Sequence, residues 1–154
     1  MARVRLRDGV EFDLASGETV VCDARRPTGD VNVLSHAHGD HLYSGGSASV
    51  VASALTAAVA AARGNGDPPE LTDHEAVTLL DSGHVAGSRA ALVDDGETRF
   101  LYTGDVSTRD RAFLSGFEPV PADVLIVEST YGRPEYVFPP QAEVESAVVD
   151  FLRE

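Results

Sequence analysis

The chain has 154 residues, 25 of them acidic and 12 basic, for a formal net charge of −13 at pH 7. Its single cysteine, Cys22, excludes an internal disulfide and a cysteine-rich zinc site, and its longest apolar run falls far short of the roughly 18 residues of a membrane span. All 12 basic residues are arginine, so the lysine of a Walker A phosphate loop and a Schiff-base lysine are both excluded.

The length predicts one domain, large enough to bury roughly two-thirds of its unfolded surface. Hydrophobic residues at 43% and charged residues at 24% are ordinary globular values. The N-terminus lacks the apolar centre of a signal peptide, which together with the absence of a span predicts a soluble, cytoplasmic protein. Acid excess without lysine suggests a halophilic protein, because concentrated salt screens the self-repulsion of an acidic surface.

In chain order, Arg3–Arg7 and Val10–Leu14 alternate charged and apolar residues around Asp8-Gly9, which predicts a hairpin. Thr19–Cys22 and Val31–Leu34 read as short apolar strands, and Val50-Val51 as a further candidate. Ser53 is placed to cap a helix running through Arg63, with Leu55, Val59 and Ala62 on one face and Gly64 at its end. Gly64 to Pro69 is expected to be a loop. Ala76–Leu80, Ala90–Val93 and Arg99–Tyr102 are strand-like runs split by Asp81-Ser82-Gly83 and Asp94-Asp95-Gly96. Asp123–Val127 is the most apolar run, the pattern of a strand covered on both faces. Pro139-Pro140 opens a helix with Val144, Val148 and Leu152 spaced at four. Strands with helices between and after them predict an α/β-type, layered α+β fold. No sequence repeat or linker is visible.

Three of the five histidines fall within six residues, in the run Ser35-His36-Ala37-His38-Gly39-Asp40-His41 at a predicted strand end. Side chains alternate along a strand, so His36 and His38 share one side, and Gly39 lets Asp40 and His41 approach from another direction. Imidazole and carboxylate together suit zinc and other first-row divalent metals. His84, among small residues in Ser82–Ser88, and Asp105, after Leu101–Gly104, also follow strands and are further candidate ligands. His74 reads as a surface residue and Cys22 as a buried thiol. Arg25, Arg26, Arg109 and Arg111 are either phosphate contacts or solvated loop charges.

His36–His41, His84 and Asp105, in this order, resemble the metallo-β-lactamase superfamily. Gly83-His84-Val85-Ala86-Gly87-Ser88, Tyr102-Thr103-Gly104-Asp105 and Glu128-Ser129-Thr130-Tyr131-Gly132 resemble its β-CASP nucleases. That branch includes archaeal relatives of the mRNA cleavage and polyadenylation factor and ligase-associated exonucleases. Tyr131–Pro140 resembles the latter group. The resemblance implies two zinc ions: one on His36, His38 and His84, the other on Asp40 and His41, with Asp105 bridging. It implies hydrolysis of an RNA or DNA phosphodiester by hydroxide held between two metals. Asp40 and Glu128 are the candidate catalytic carboxylates, Glu128 supporting a histidine that protonates the leaving oxygen.

The sequence departs from the family pattern in one respect: no histidine follows His84. The family's later ligand of the second metal and two β-CASP histidines have no counterpart. Residues 1–154 are therefore expected to form a partial domain, the N-terminal half of an αββα sandwich, ending near the start of the β-CASP region. Such a half would leave its sheet without a covering partner. It is expected to be a fragment, or a half-protein completed by self-association or a second chain. The rival readings are a thioesterase or lactonase of the same superfamily and an inactive zinc-binding remnant.

Overall fold

The computed structural model describes residues 3–43, 49–64, 69–111 and 113–153. Strands β1 (Arg3–Leu6), β2 (Val10–Asp13), β3 (Thr19–Cys22) and β4 (Val31–Val33) form one sheet in that order. The β1–β2 hairpin turns at Asp8-Gly9 with Leu6 opposite Val10, β2–β3 is antiparallel, and β3–β4 is parallel. Val50 and Val51 continue this sheet as bridges, Val51 to Val33 and Val50 to Leu71, both parallel.

Strands β5 (Val77–Asp81), β6 (Arg89–Asp94), β7 (Arg99–Tyr102) and β8 (Val124–Ile126) form a second sheet. It repeats the arrangement of the first: two antiparallel pairings, then a parallel one. The repetition is one of topology, with no matching repeat in the residues.

The two sheets face each other. Phe12, Val20, Cys22, Val31, Val33 and Val51 of the first pack on Ala91, Val93, Phe100 and Tyr102 of the second in one buried core. Phe12 and Phe100 meet at its centre, with ring centroids 5.1 Å apart. Each large apolar side chain buried there contributes roughly 1.5–3 kcal/mol. The sheet expected to be bare is thus covered, because this chain supplies both layers.

The apolar surface left open lies elsewhere. Val124 and Ile126 of β8 turn toward the core, while Leu125 and Val127 on the opposite side are exposed. This strand is covered on one face, not two, because only a short stretch around Phe117 and Val120 packs on the outer side of the sheet.

Helix α1 (Ala54–Gly64) starts where Ser53 was expected to cap it, with the Thr56 amide donating to Ser53 Oγ at 3.0 Å. Its inward face is not Leu55, Val59 and Ala62. It is Thr56, Ala57 and Ala60, since small side chains let the helix approach Leu34 and Ala37 and the Gly87 turn closely. Helix α2 (Gln141–Phe151) begins directly after Pro140, and none of its residues is buried. Residues 65–68, most of the expected loop before Pro69, lie outside the described residues. Among the described residues, no helix is long and apolar enough to cross a membrane.

Candidate metal centre

In the first sheet β3 and β4 run the same way, and in the second β5, β7 and β8 do. Just beyond the C-terminal ends of these five strands stand Asp23, His36, His84, Asp105 and Glu128. Two left-handed glycines shape the turns. Gly104, at φ +55°, lies so close to Ser35 that a Cβ would sit 2.7 Å from its Oγ. Gly83, at φ +69°, leaves no room for a Cβ beside the Ser107 carbonyl. Helix α1 secures the His84 turn, as Ser53 and Thr56 hydroxyls donate to the Gly87 carbonyl at 2.6 and 2.8 Å.

Four side chains converge. His36 Nε2 lies 3.0 Å from His38 Nδ1, which lies 3.2 Å from His84 Nε2. Asp105 Oδ2 completes the group at 3.5 Å from His36 and 3.4 Å from His84. Ligands about 2.0–2.1 Å from a tetrahedral zinc stand about 3.3 Å from one another; these four separations lie close to that value, and all four donor atoms lie within 4.8 Å of one another, a group that could hold one ion. The chemistry of the set agrees: three imidazoles cannot all hydrogen-bond through one shared point, whereas one cation satisfies all three lone pairs. Burial and the nearby His41 charge push the His36 pKa down to about 4, and burial also lowers that of His84. Both rings are therefore neutral, the form that binds metal.

His41 stands beside this group, with Nε2 3.4 Å from Asp105 Oδ1 and 3.7 Å from Asp40 Oδ2. Asp40 itself points largely to solvent, its side chain 78% exposed. The structure thus brings His36, His38, His84 and Asp105 into one set, with His41 and Asp40 reached through Asp105 and His41.

Sequence reasoning missed Asp23. This buried carboxylate, at φ +51°, organises the floor of the site. It accepts from the Ser35 amide at 2.7 Å, the Ser35 hydroxyl at 2.5 Å and the Tyr102 hydroxyl at 2.8 Å, and it pairs with His41 Nδ1 at 2.8 Å. Burial opposes charge on His41, but the hydrogen bond and charge of Asp23 outweigh it and raise the pKa. In the neutral ring, a donated Nδ1–H leaves Nε2 facing Asp105 and Asp40 with its lone pair free. A lone aspartate after a strand reads as a turn, and a β-region residue switching to positive φ leaves no local signal.

Glu128 lies on the wall of the same cavity, of about 810 Å³, together with His38, His84 and Asp105. Burial opposes its charge, yet hydrogen bonds from the Thr130 hydroxyl and the Val106 amide prevail and lower its pKa. Arg111 reaches the site indirectly, donating to the Gly83 and His84 carbonyls at 2.7 Å each. Arg109 lines the cavity and donates to Gln141 Oε1 at 3.2 Å. Arg25 and Arg26 are exposed and do not line the cavity. His74 lies apart from the group, 3.5 Å from Glu18, and Cys22 is a buried thiol in the core.

Comparison with known proteins gives the same direction. The chain is similar to a probable DNA ligase of Opitutus terrae, 36% identical over 132 residues, covering 79% of this chain and 13% of that protein. It is similar to cleavage and polyadenylation specificity factor subunit 3 of Dictyostelium discoideum, 45% identical over 58 residues, covering 36% and 8%. A probable RNase MJ4 of Methanocaldococcus jannaschii is 33% identical over 81 residues, covering 49% and 18%. The matches therefore span less than a fifth of the length of these curated relatives. No family model matches the chain. Fold, motifs and relatives point to the metallo-β-lactamase fold as the class of protein. Within it they point to the β-CASP nuclease family, and the partial coverage fits the N-terminal portion of such a protein.

Proposed function

We propose that residues 1–154 are the N-terminal, metal-binding part of a zinc-dependent nuclease that hydrolyses RNA or DNA phosphodiesters in a salt-rich cytoplasm. The observation that carries the proposal is the convergence of His36, His38, His84 and Asp105 just beyond strand ends, their ligand atoms all within 4.8 Å of one another. These four residues would hold one zinc. Asp40 and His41 would contribute to a second, with Asp105 between. When bound, zinc supplies positive charge opposite phosphate oxygens and acidifies water.

The chain's own groups prepare this chemistry. Asp23 orients His41 and keeps its Nε2 directed at Asp105 and Asp40. Arg111 fixes the backbone on either side of His84. Arg109 has no carboxylate within ion-pair distance among the described residues and lines the cavity, so its guanidinium is available to a phosphate. Glu128 stays ionised and cannot donate a proton, so we assign it a positioning role at the cavity wall, while Asp40 is the catalytic carboxylate. The relatives, a probable RNase and a cleavage and polyadenylation specificity factor subunit among them, support a phosphodiester over a thioester or lactone.

The test is zinc content of the chain purified in roughly molar potassium chloride, followed by cleavage assays. At least one zinc per chain is expected, with its loss in His38→Ala. A folded chain without zinc overturns the metal assignment. Cleavage of thioesters or lactones with none of any RNA or DNA strand overturns the substrate class.

A further inference from the structure

The cavity that holds His38, His84 and Asp105 also holds two aromatic rings that the metal chemistry does not use. Tyr131 and Phe138 line it, their ring centroids 5.0 Å apart and their planes at 84°. Tyr136 stands on Tyr131 in the same edge-on manner, at 5.6 Å. A cluster of three rings ordinarily belongs to a core. Here Tyr131 and Phe138 are 64% and 63% exposed, so the cluster holds water-facing aromatic surface beside a charged site.

Resting on the phosphodiester reading above, we propose that the corner between Tyr131 and Phe138 is a stacking subsite for an unpaired nucleobase of the strand whose phosphate lies at the metal centre. Two rings set at right angles offer a flat guest one face and one edge, the two contacts that the aromatic quadrupole favours. The cavity, about 810 Å³, is ample for a nucleotide. Arg109 lies on the same wall, between the rings and the metal ligands in chain order, with its guanidinium free of carboxylates among the described residues.

Charge strengthens the argument. At −13 the chain offers no long-range attraction to a polyanion, and salt weakens what local attraction remains. Stacking does not depend on net charge and tolerates any base, so it supplies affinity where electrostatics cannot. A base inside a duplex has both faces covered by its neighbours. The subsite therefore requires a single strand, or a frayed end, next to the scissile bond.

The experiment measures binding of a short single-stranded oligonucleotide, made as RNA and as DNA, to the zinc-loaded chain. One version carries the fluorescent base 2-aminopurine, and a matched version is abasic at that position. We expect quenching of 2-aminopurine on binding and at least about fivefold tighter binding of the base-bearing strand, the lower end of what base–aromatic stacking contributes. Phe138→Leu and Tyr131→Leu keep apolar bulk but remove a π face. They should bring the ratio toward one, with zinc content and abasic-strand affinity unchanged. Equal binding of base-bearing and abasic strands by the wild type overturns the subsite while leaving the phosphodiester reading intact. A ratio that survives in both variants assigns the stacking elsewhere and overturns it too. Failure of every strand to bind overturns the phosphodiester reading, and the subsite with it.

Discussion

Tyr102 and Asp23, 79 positions apart, meet across the gap between the two sheets, the tyrosine hydroxyl donating to Asp23 Oδ2 at 2.8 Å. Tyr102 ends β7 and Asp23 follows β3, so the bond joins one layer to the other directly beneath the histidines. Burial and the adjacent carboxylate push the Tyr102 pKa far up, so the hydroxyl remains a donor throughout the accessible pH range.

Replacing the carboxylate tests this arrangement. Asp23→Asn keeps the shape and tolerates the positive φ, yet it removes the charge that His41 faces and offers a single acceptor oxygen. Hydrogen bonds to charged groups are worth roughly 1.5–3 kcal/mol each, so we expect a loss of about 2–3 kcal/mol in denaturant unfolding. The His41 pKa should fall, read by histidine ring NMR. Tyr102→Phe should cost less, about 1 kcal/mol. A His41 titration unchanged in Asp23→Asn would contradict the assigned pairing.

Acid should weaken the metal-free protein. The His36 pKa is about 4 in the folded chain and about 6.5 when unfolded. Between these values the unfolded chain binds a proton that the folded chain does not, so stability falls as the pH drops through this window, by roughly 3 kcal/mol in all. His84, also lowered, acts in the same sense. His41, raised, acts oppositely: its contribution is present below the unfolded pKa and is lost as pH rises through the folded one. The two lowered histidines outweigh it. Urea midpoints at pH 7 and pH 4.5 should show the decline, and His36→Gln should flatten it.

Gly104 should not accept a side chain. At φ +55°, with a Cβ position 2.7 Å from Ser35 Oγ, alanine meets both the left-handed penalty and a neighbour that Asp23 holds in place. Together these predict about 2–4 kcal/mol of destabilisation for Gly104→Ala. The substitution would also shift Asp105, so zinc affinity should drop with stability. Calorimetric zinc titration of the still-folded fraction checks the second effect.

Arg111 offers the converse case, an exposed residue with a local role. Its two hydrogen bonds hold the carbonyls of Gly83 and His84. Arg111→Met should leave unfolding nearly unchanged and weaken zinc about tenfold, the lower range for groups that support a metal ligand. Equal zinc affinity in variant and wild type would show that the turn stands without it.

The elements were legible from the chain because strand alternation and proline or serine starts are local properties. Every predicted strand from Arg3 to Val127 reappears within a residue or two, except the Val50-Val51 candidate, which forms isolated bridges. Which surface each one buries was less legible. Apolar alternation identifies an inward side but not the partner sheet, so the second layer was not foreseen. The buried face of α1 is set by its distance from Gly87 and Leu34, and small Thr56, Ala57 and Ala60 won over larger Leu55 and Val59. In the site, the histidines stood out through their density in sequence. Asp23 did not, because its partners Ser35, His41 and Tyr102 are 12, 18 and 79 positions away.

The converging donors belong to both layers: His36 and His38 hang from the first sheet, His84 and Asp105 from the second. An ion held by all four would act as a rivet through the sandwich, and the ligand set is in effect a caliper for its thickness. A change in core volume around Phe12 and Phe100 would then be read at the rim as a change in ligand spacing. Mutations far from any histidine could select one metal over another, with no ligand altered.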